Sequence, residues 1–92
     1  MKTNKKELEL VRSILSQAIE ISSNTNIDVF VNYSGHVDYL SIAVHLQGWN
    51  IENKADYRNE IWFSIDNEDH CKKQLIEVLK YFKVIQEKHK LN

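Results

Sequence analysis

The runs Ile27-Asp28-Val29-Phe30-Val31-Asn32-Tyr33 and Tyr39-Leu40-Ser41-Ile42-Ala43-Val44-His45-Leu46-Gln47 decide the fold. Each alternates apolar and polar residues, the period of a strand with one buried face. Ser34-Gly35 follows the first run, with Gly35 able to take the positive φ that a tight turn needs. A link of two or four residues puts Val29 and Val31 on the face of Leu40 and Ile42, and an odd link breaks that match. The two runs therefore read as an antiparallel hairpin.

A third strand is expected from about Tyr57 to Ile65, beyond a polar turn over Gly48 to Ala55 that carries Trp49. Ile61, Phe63 and Ile65 fall on one side of it and Arg58, Glu60, Trp62 and Ser64 on the other. Outside the strands the period changes. From about Asn4 to Ser23, Leu8, Val11, Leu15, Ala18 and Ser22 follow helical spacing, widened by Leu10, Ile14 and Ile21. Thr3 or Asn4 is the expected cap, with Glu7 in the capping-box position, and Ser22 to Asn26 ends the helix by competing for backbone hydrogen bonds. A second helix is expected from about Glu68 to Lys88 on a stripe of Cys71, Leu75, Val78, Leu79, Phe82 and Ile85. Asp66, Asn67, Glu68 and Asp69 suit its positive N-terminus, and Lys88, His89 and Lys90 suit its C-terminus.

The predicted class is α+β with the order α-β-β-β-α, a three-stranded antiparallel meander with two helices packed on one face, in a single domain spanning residues 1-92. The covered face is expected to hold Ile27, Val29, Val31, Leu40, Ile42, Val44, Leu46, Ile61, Phe63 and Ile65. The opposite face carries Phe30, Tyr39, His45, Arg58 and Trp62 among Asp28, Asn32, Ser41, Ala43, Gln47, Glu60 and Ser64.

Composition removes several classes of function. The chain has 92 residues, a formal charge of −1, 42% hydrophobic and 27% charged residues, two Gly, one Cys and no Pro. One cysteine excludes an internal disulfide framework and a multi-cysteine zinc site. A balance near neutrality argues against coating phosphate. No apolar run reaches the roughly 18 residues of a membrane span, and Met1-Lys2-Thr3-Asn4-Lys5-Lys6 lacks a signal-peptide core, so a soluble cytoplasmic protein is expected. Two glycines thirteen residues apart make no phosphate cradle.

Catalysis finds little support, and no enzyme is expected. Cys71 lies on an apolar stripe, where a buried, inert thiol is the usual outcome. His36, His45, His70 and His89 are scattered without metal-ligand spacing, so neither a metal nor another cofactor is expected. The outward aromatics and Arg58 carry the stronger signal, because Tyr, Trp and Arg dominate binding hot spots. The expected binding surface is Phe30, Tyr39, His45, Trp49, Arg58 and Trp62. Glu52, Asp56, Glu60, Asp66, Glu68 and Asp69 are acidic contact candidates should the partner be basic.

Two resemblances bear on function. The α-β-β-β-α order, with Ser34-Gly35-His36 after the first strand and Lys72-Lys73 early in the last helix, resembles the double-stranded-RNA-binding domain, which implies nucleic-acid binding. Here, however, the lysine pair follows Asp66, Glu68 and Asp69, the loop lacks that family's Gly-Pro element, and the net charge is acidic. The stretch Val31-Asn32-Tyr33-Ser34-Gly35-His36-Val37-Asp38-Tyr39-Leu40, followed by His45-Leu46-Gln47-Gly48-Trp49, resembles in hairpin style the small α+β proteins of phages, prophages and mobile elements of low-GC Gram-positive bacteria. Ten Lys, nine Asn and ten Ile against two Arg fit that composition. This resemblance implies a non-enzymatic interaction module, of the kind that inhibits or modulates a host defence protein. The alternatives are a homodimer joined through the open face and a nucleic-acid binder; the expected partner is a protein, either a host protein or a second copy.

Overall fold

A computed structural model describes residues 5–90. Helix α1 spans Lys5–Asn24, strands β1, β2 and β3 span Asp28–Ser34, Tyr39–His45 and Tyr57–Trp62, and helix α2 spans Glu68–Lys88. The strands form one antiparallel sheet in the order β1-β2-β3. This is the expected α-β-β-β-α order.

Register follows from the hairpin link. Ser34 pairs with Tyr39, leaving the four residues 35–38 between them, and Val29 and Val31 pair with Val44 and Ile42. The even count keeps the apolar sets together. Gly35 could take the positive φ of the turn, but the residue that does so is Asp38 (51°). Asp tolerates the left-handed region better than most side chains. Here its carboxylate is also engaged, accepting from the Tyr33 hydroxyl at 2.7 Å and the Ser64 hydroxyl at 3.3 Å. The Asp38 carbonyl accepts from Phe63 N–H at 3.0 Å, which ties the hairpin to the β3–α2 turn.

The core lies between one sheet face and both helices. Leu40, Ile42, Val44 and Ile61 are buried there against Ile14, Ala18 and Ile21 of α1 and Cys71, Leu75, Val78, Phe82 and Ile85 of α2. Tyr57 stacks on Tyr81 beside them, with ring centroids 4.0 Å apart. The α2 stripe matches the sequence pattern. The α1 stripe is rotated from it: Leu8 and Leu15 stand exposed, while Glu7, Ile14, Ala18 and Ile21 are buried. A helix pressed between a strand and a second helix turns its widest apolar arc inward, and here that arc is centred on Ile14 and Ile21.

Two positions expected under the helices are outside. Leu46 is exposed because β2 ends at His45 and its N–H turns to the Asp56 carboxylate. Ile65 is 77% exposed because β3 ends at Trp62, whose carbonyl accepts from both Ile65 and Asp66 N–H as the chain turns toward α2. Gln47 and Ser64 therefore also leave the open face. Asn67 caps α2 by accepting from His70 N–H at 2.8 Å. Asn24 and Thr25 side chains bond back to Glu20 and Ile21 carbonyls and end α1. The expected caps Thr3 and Asn4 lie outside the described residues.

Candidate functional site: the open face of the sheet

Because the helices share one side, the side chains of the opposite phase meet no second layer among the described residues. The register arranges them in rows across the sheet. Ser34, Tyr39 and Trp62 form one row, followed by Asn32, Ser41 and Glu60, then Phe30, Ala43 and Arg58, and finally Asp28 beside His45. Phe30, Asn32, Arg58 and Glu60 are exposed, and Tyr39, Ser41, Ala43 and Trp62 are half-buried. The central strand contributes only Ser41 and Ala43 to the middle rows. With strands about 4.8 Å apart, Phe30 and Arg58 flank Ala43 at roughly 10 Å from each other. In these rows small residues stand in the centre between larger ones on both sides.

The aromatics are held in cross-strand pairs. Tyr39 and Trp62 rings approach to 4.1 Å between centroids, tilted by 34°. Phe30 meets His45 edge-on at 5.6 Å. Such pairs fix the rings and remove rotor entropy before any partner arrives. The Tyr39 hydroxyl is held above its ordinary pKa, first by desolvation and then by the Glu60 carboxylate. Arg58 Nε lies 3.7 Å from Glu60 Oε1, both side chains being largely solvated. An exposed pair of this kind contributes little to stability and leaves both charges available to a ligand.

The expected surface residues do not all qualify. Phe30, Tyr39, Arg58 and Trp62 share the face. His45 has the right phase, but it is buried, so its part is to support the Phe30 ring. Trp49 belongs to the β2–β3 loop and is 56% exposed. Its backbone N–H donates to the Asp28 carboxylate at 2.7 Å, which ties the loop to the Asp28–His45 end of the face. Gly48 takes φ 85° there, and a Cβ would meet Asn26 O at 3.3 Å, so this turn needs glycine.

The acidic candidates divide into two groups. Asp56 is occupied inside the chain, accepting from Leu46 N–H at 2.7 Å, and it sits with Glu52 in the loop joining β2 to β3. Asp66, Glu68 and Asp69 lie at the other end of β3, about 20 Å away along a six-residue strand. Glu60 stands between, on the face itself. They form no single acidic surface.

Compared with known proteins, the chain matches no family model, no curated protein and no solved structure.

The remaining chemistry-bearing groups are quiet. Cys71 is buried, and desolvation, followed by the charges of Glu7, Asp66 and Asp38, pushes its thiol up, which keeps it protonated and a poor nucleophile near neutrality. Among the described residues no three His, Cys, Asp or Glu side chains gather as a metal site, and no helix is long and apolar enough to cross a membrane. A cleft of about 790 Å³ between the α1–β1 turn, Leu46, Gln47 and His89 is open and bordered largely by short polar side chains.

The sequence reading missed Asp38. Its hydroxyl partners Tyr33 and Ser64 lie 5 and 26 residues away, so no local pattern announces the cluster. The Asp38 carboxylate holds the Tyr33 hydroxyl up at about 12 by accepting its proton's hydrogen bond.

Proposed function

We propose that the protein is a non-enzymatic protein–protein interaction module whose working surface is the open face around Phe30, Tyr39, Arg58 and Trp62. One observation carries this reading: aromatic and guanidinium groups, held in place by cross-strand contacts, flank the small residues of β2 on a face that no helix covers. Rigid aromatics beside small residues give a partner side chain a preformed seat with little ordering cost. A protein ligand fits this chemistry better than a nucleic acid. Arg58 is the face's one cation and stands beside Glu60, and Asp66, Glu68 and Asp69 precede the Lys72-Lys73 pair, so phosphate would meet repulsion. In the phage-type setting suggested by the hairpin style, the partner is a host protein, including a defence protein, that the module blocks or redirects.

The test is affinity capture from host extract with three baits: wild type, Tyr39→Ala/Trp62→Ala, and Lys83→Ala on the far side of the molecule. The reading expects one species that wild type and Lys83→Ala retain and the double variant loses, with all three baits folded by circular dichroism. Retention of that species by the folded double variant removes the open face as the working surface.

A further inference from the structure

Each edge of the sheet takes one hydrogen bond from a helix side chain, but the β3 edge also carries the charged Arg58 and Glu60 mid-strand whereas β1 carries no charge beyond Asp28, and this difference points to a second copy of this chain at β1. On the β3 edge, the outward carbonyl of Glu60 accepts from Gln74 Nε2 of α2 at 2.8 Å, so a helix side chain occupies it. On the β1 edge, Val29 N–H donates to Ser22 Oγ at 3.0 Å, which shows that Val29 turns its backbone groups away from β2. Strand alternation then turns the N–H and C=O of Val31 and Tyr33 the same way. Among the described residues these groups meet no partner. Proteins usually protect such an edge with Lys, Pro or a bulge; β1 has no Lys, Arg or Pro, and its pairing with β2 runs without a bulge.

A second, independent feature lies alongside. The rotation of α1 that buries Ile14 and Ile21 leaves Leu15 at 48% and Ile19 at 59% exposure. These two border a cleft of about 310 Å³ with Ala18, Ser22, Val29 and Val31, and no charged side chain lines it. An uncharged cleft between α1 and β1, with Arg12 one helical turn beyond Leu15, thus runs beside the outward backbone groups of Val31 and Tyr33.

We propose that two copies of the chain pair antiparallel through β1, with a two-fold axis at Asn32, giving one continuous six-stranded sheet. That register matches Val31 with the second copy's Tyr33, and Tyr33 with its Val31. It forms four backbone hydrogen bonds and leaves the Val29–Ser22 bond intact. From Val29 to Asn32 is about 10 Å of strand, equivalent to about seven residues of helix, which puts Leu15 level with the axis. Leu15 then packs on its own copy, flanked by Ile19. The contact is isologous, with Leu15 on its own copy at the axis and the like charges nearest to it, the two Arg12 side chains, one helical turn to either side. A flank about 23 Å long and as deep as the 17 Å thin dimension of the molecule offers on the order of 400 Å², half the ~800 Å² per partner of a standard interface. A contact of this size is below the standard interface, so the pairing is expected to be weak and concentration-dependent. Both open faces stay accessible on the same side of the joined sheet, so this pairing stands whether or not the open face binds a further protein.

The test is sedimentation velocity from low-micromolar to submillimolar protein, with hydrogen exchange at both ends of the series. Wild type is expected to pass from monomer to dimer, with the Val31 and Tyr33 amides gaining protection at high concentration while the Val29 amide, already bonded to Ser22, changes little. Ile19→Lys and Leu15→Lys alter exposed side chains and are expected to weaken the dimer at least tenfold with unchanged circular dichroism. Trp62→Ala is expected to dimerise as wild type does. A wild-type monomer throughout the series overturns the proposal. So does a dimer insensitive to both lysine variants, or one abolished by Trp62→Ala, which would place the contact on the open face instead.

Discussion

Asp38 joins separate parts of the molecule through both its side chain and its backbone. It occupies a left-handed position, accepts from Tyr33 and Ser64 through its carboxylate, and accepts from Phe63 N–H through its carbonyl. Asp38→Ala removes the side-chain acceptor and strains the turn, and is expected to destabilise the fold by about 1–3 kcal/mol. Chemical denaturation of the variant beside wild type measures this directly. The same contact makes a pH prediction. Tyr33 is pushed up to about 12 by its hydrogen bond to Asp38, so the folded state favours the protonated phenol. That contribution is complete below the unfolded tyrosine value near 10 and is lost as pH rises from there through about 12. In an NMR titration the Tyr33 ring is expected to ionise well above an unperturbed tyrosine, and Asp38→Asn to lower its midpoint. An unchanged midpoint in the variant contradicts the assigned cause.

At the scale of elements, the prediction that separates the observed α1 from the one read in sequence is a pair of truncations. Ile14→Ala is expected to cost about 2–5 kcal/mol because it empties a fully buried site. Leu15→Ala, half in solvent, is expected to cost well under half as much in the monomer. Equal costs restore the stripe centred on Leu15. The sequence could not choose between these stripes because apolar residues occupy both Leu8-Leu15 and Ile14-Ile21, and only the neighbouring helix decides which faces inward. By contrast, α2 carries a narrower stripe, and its buried set matches the pattern. The hairpin was legible for a similar reason: strict alternation leaves two choices of face, and the four-residue link selects one. The end of β3 was not legible, since Phe63-Ser64-Ile65 continues the alternation while the carbonyl of Trp62 already draws the chain into a turn. On the open face, Phe30, Tyr39, Arg58 and Trp62 could be placed from phase alone. The burial of His45 depends on contacts made after folding, to which strand phase is blind. A double-mutant cycle on Tyr39 and Trp62 is expected to return about 0.5–1.5 kcal/mol of coupling for rings at 4.1 Å, and zero coupling would mean that the face is not preformed.

As a whole the molecule is a slab with a covered side and an uncovered one, only 17 Å through its thin dimension. Two helices suffice to bury one face of three strands, and nothing in the remaining 5–90 chain returns to cover the other except the loop held at its Asp28 end. That leaves Phe30 and Arg58 exposed and Tyr39 and Trp62 half-buried on the uncovered side, where a partner can reach them. Side-chain oxidation footprinting of the protein alone and with its captured partner tests this most directly. Phe30, Tyr39 and Trp62 are expected to be protected on partner binding, with Val84 and Ile76 on the helical side unchanged. Protection confined to the helical side, with the three open-face aromatics as reactive as before, would contradict this.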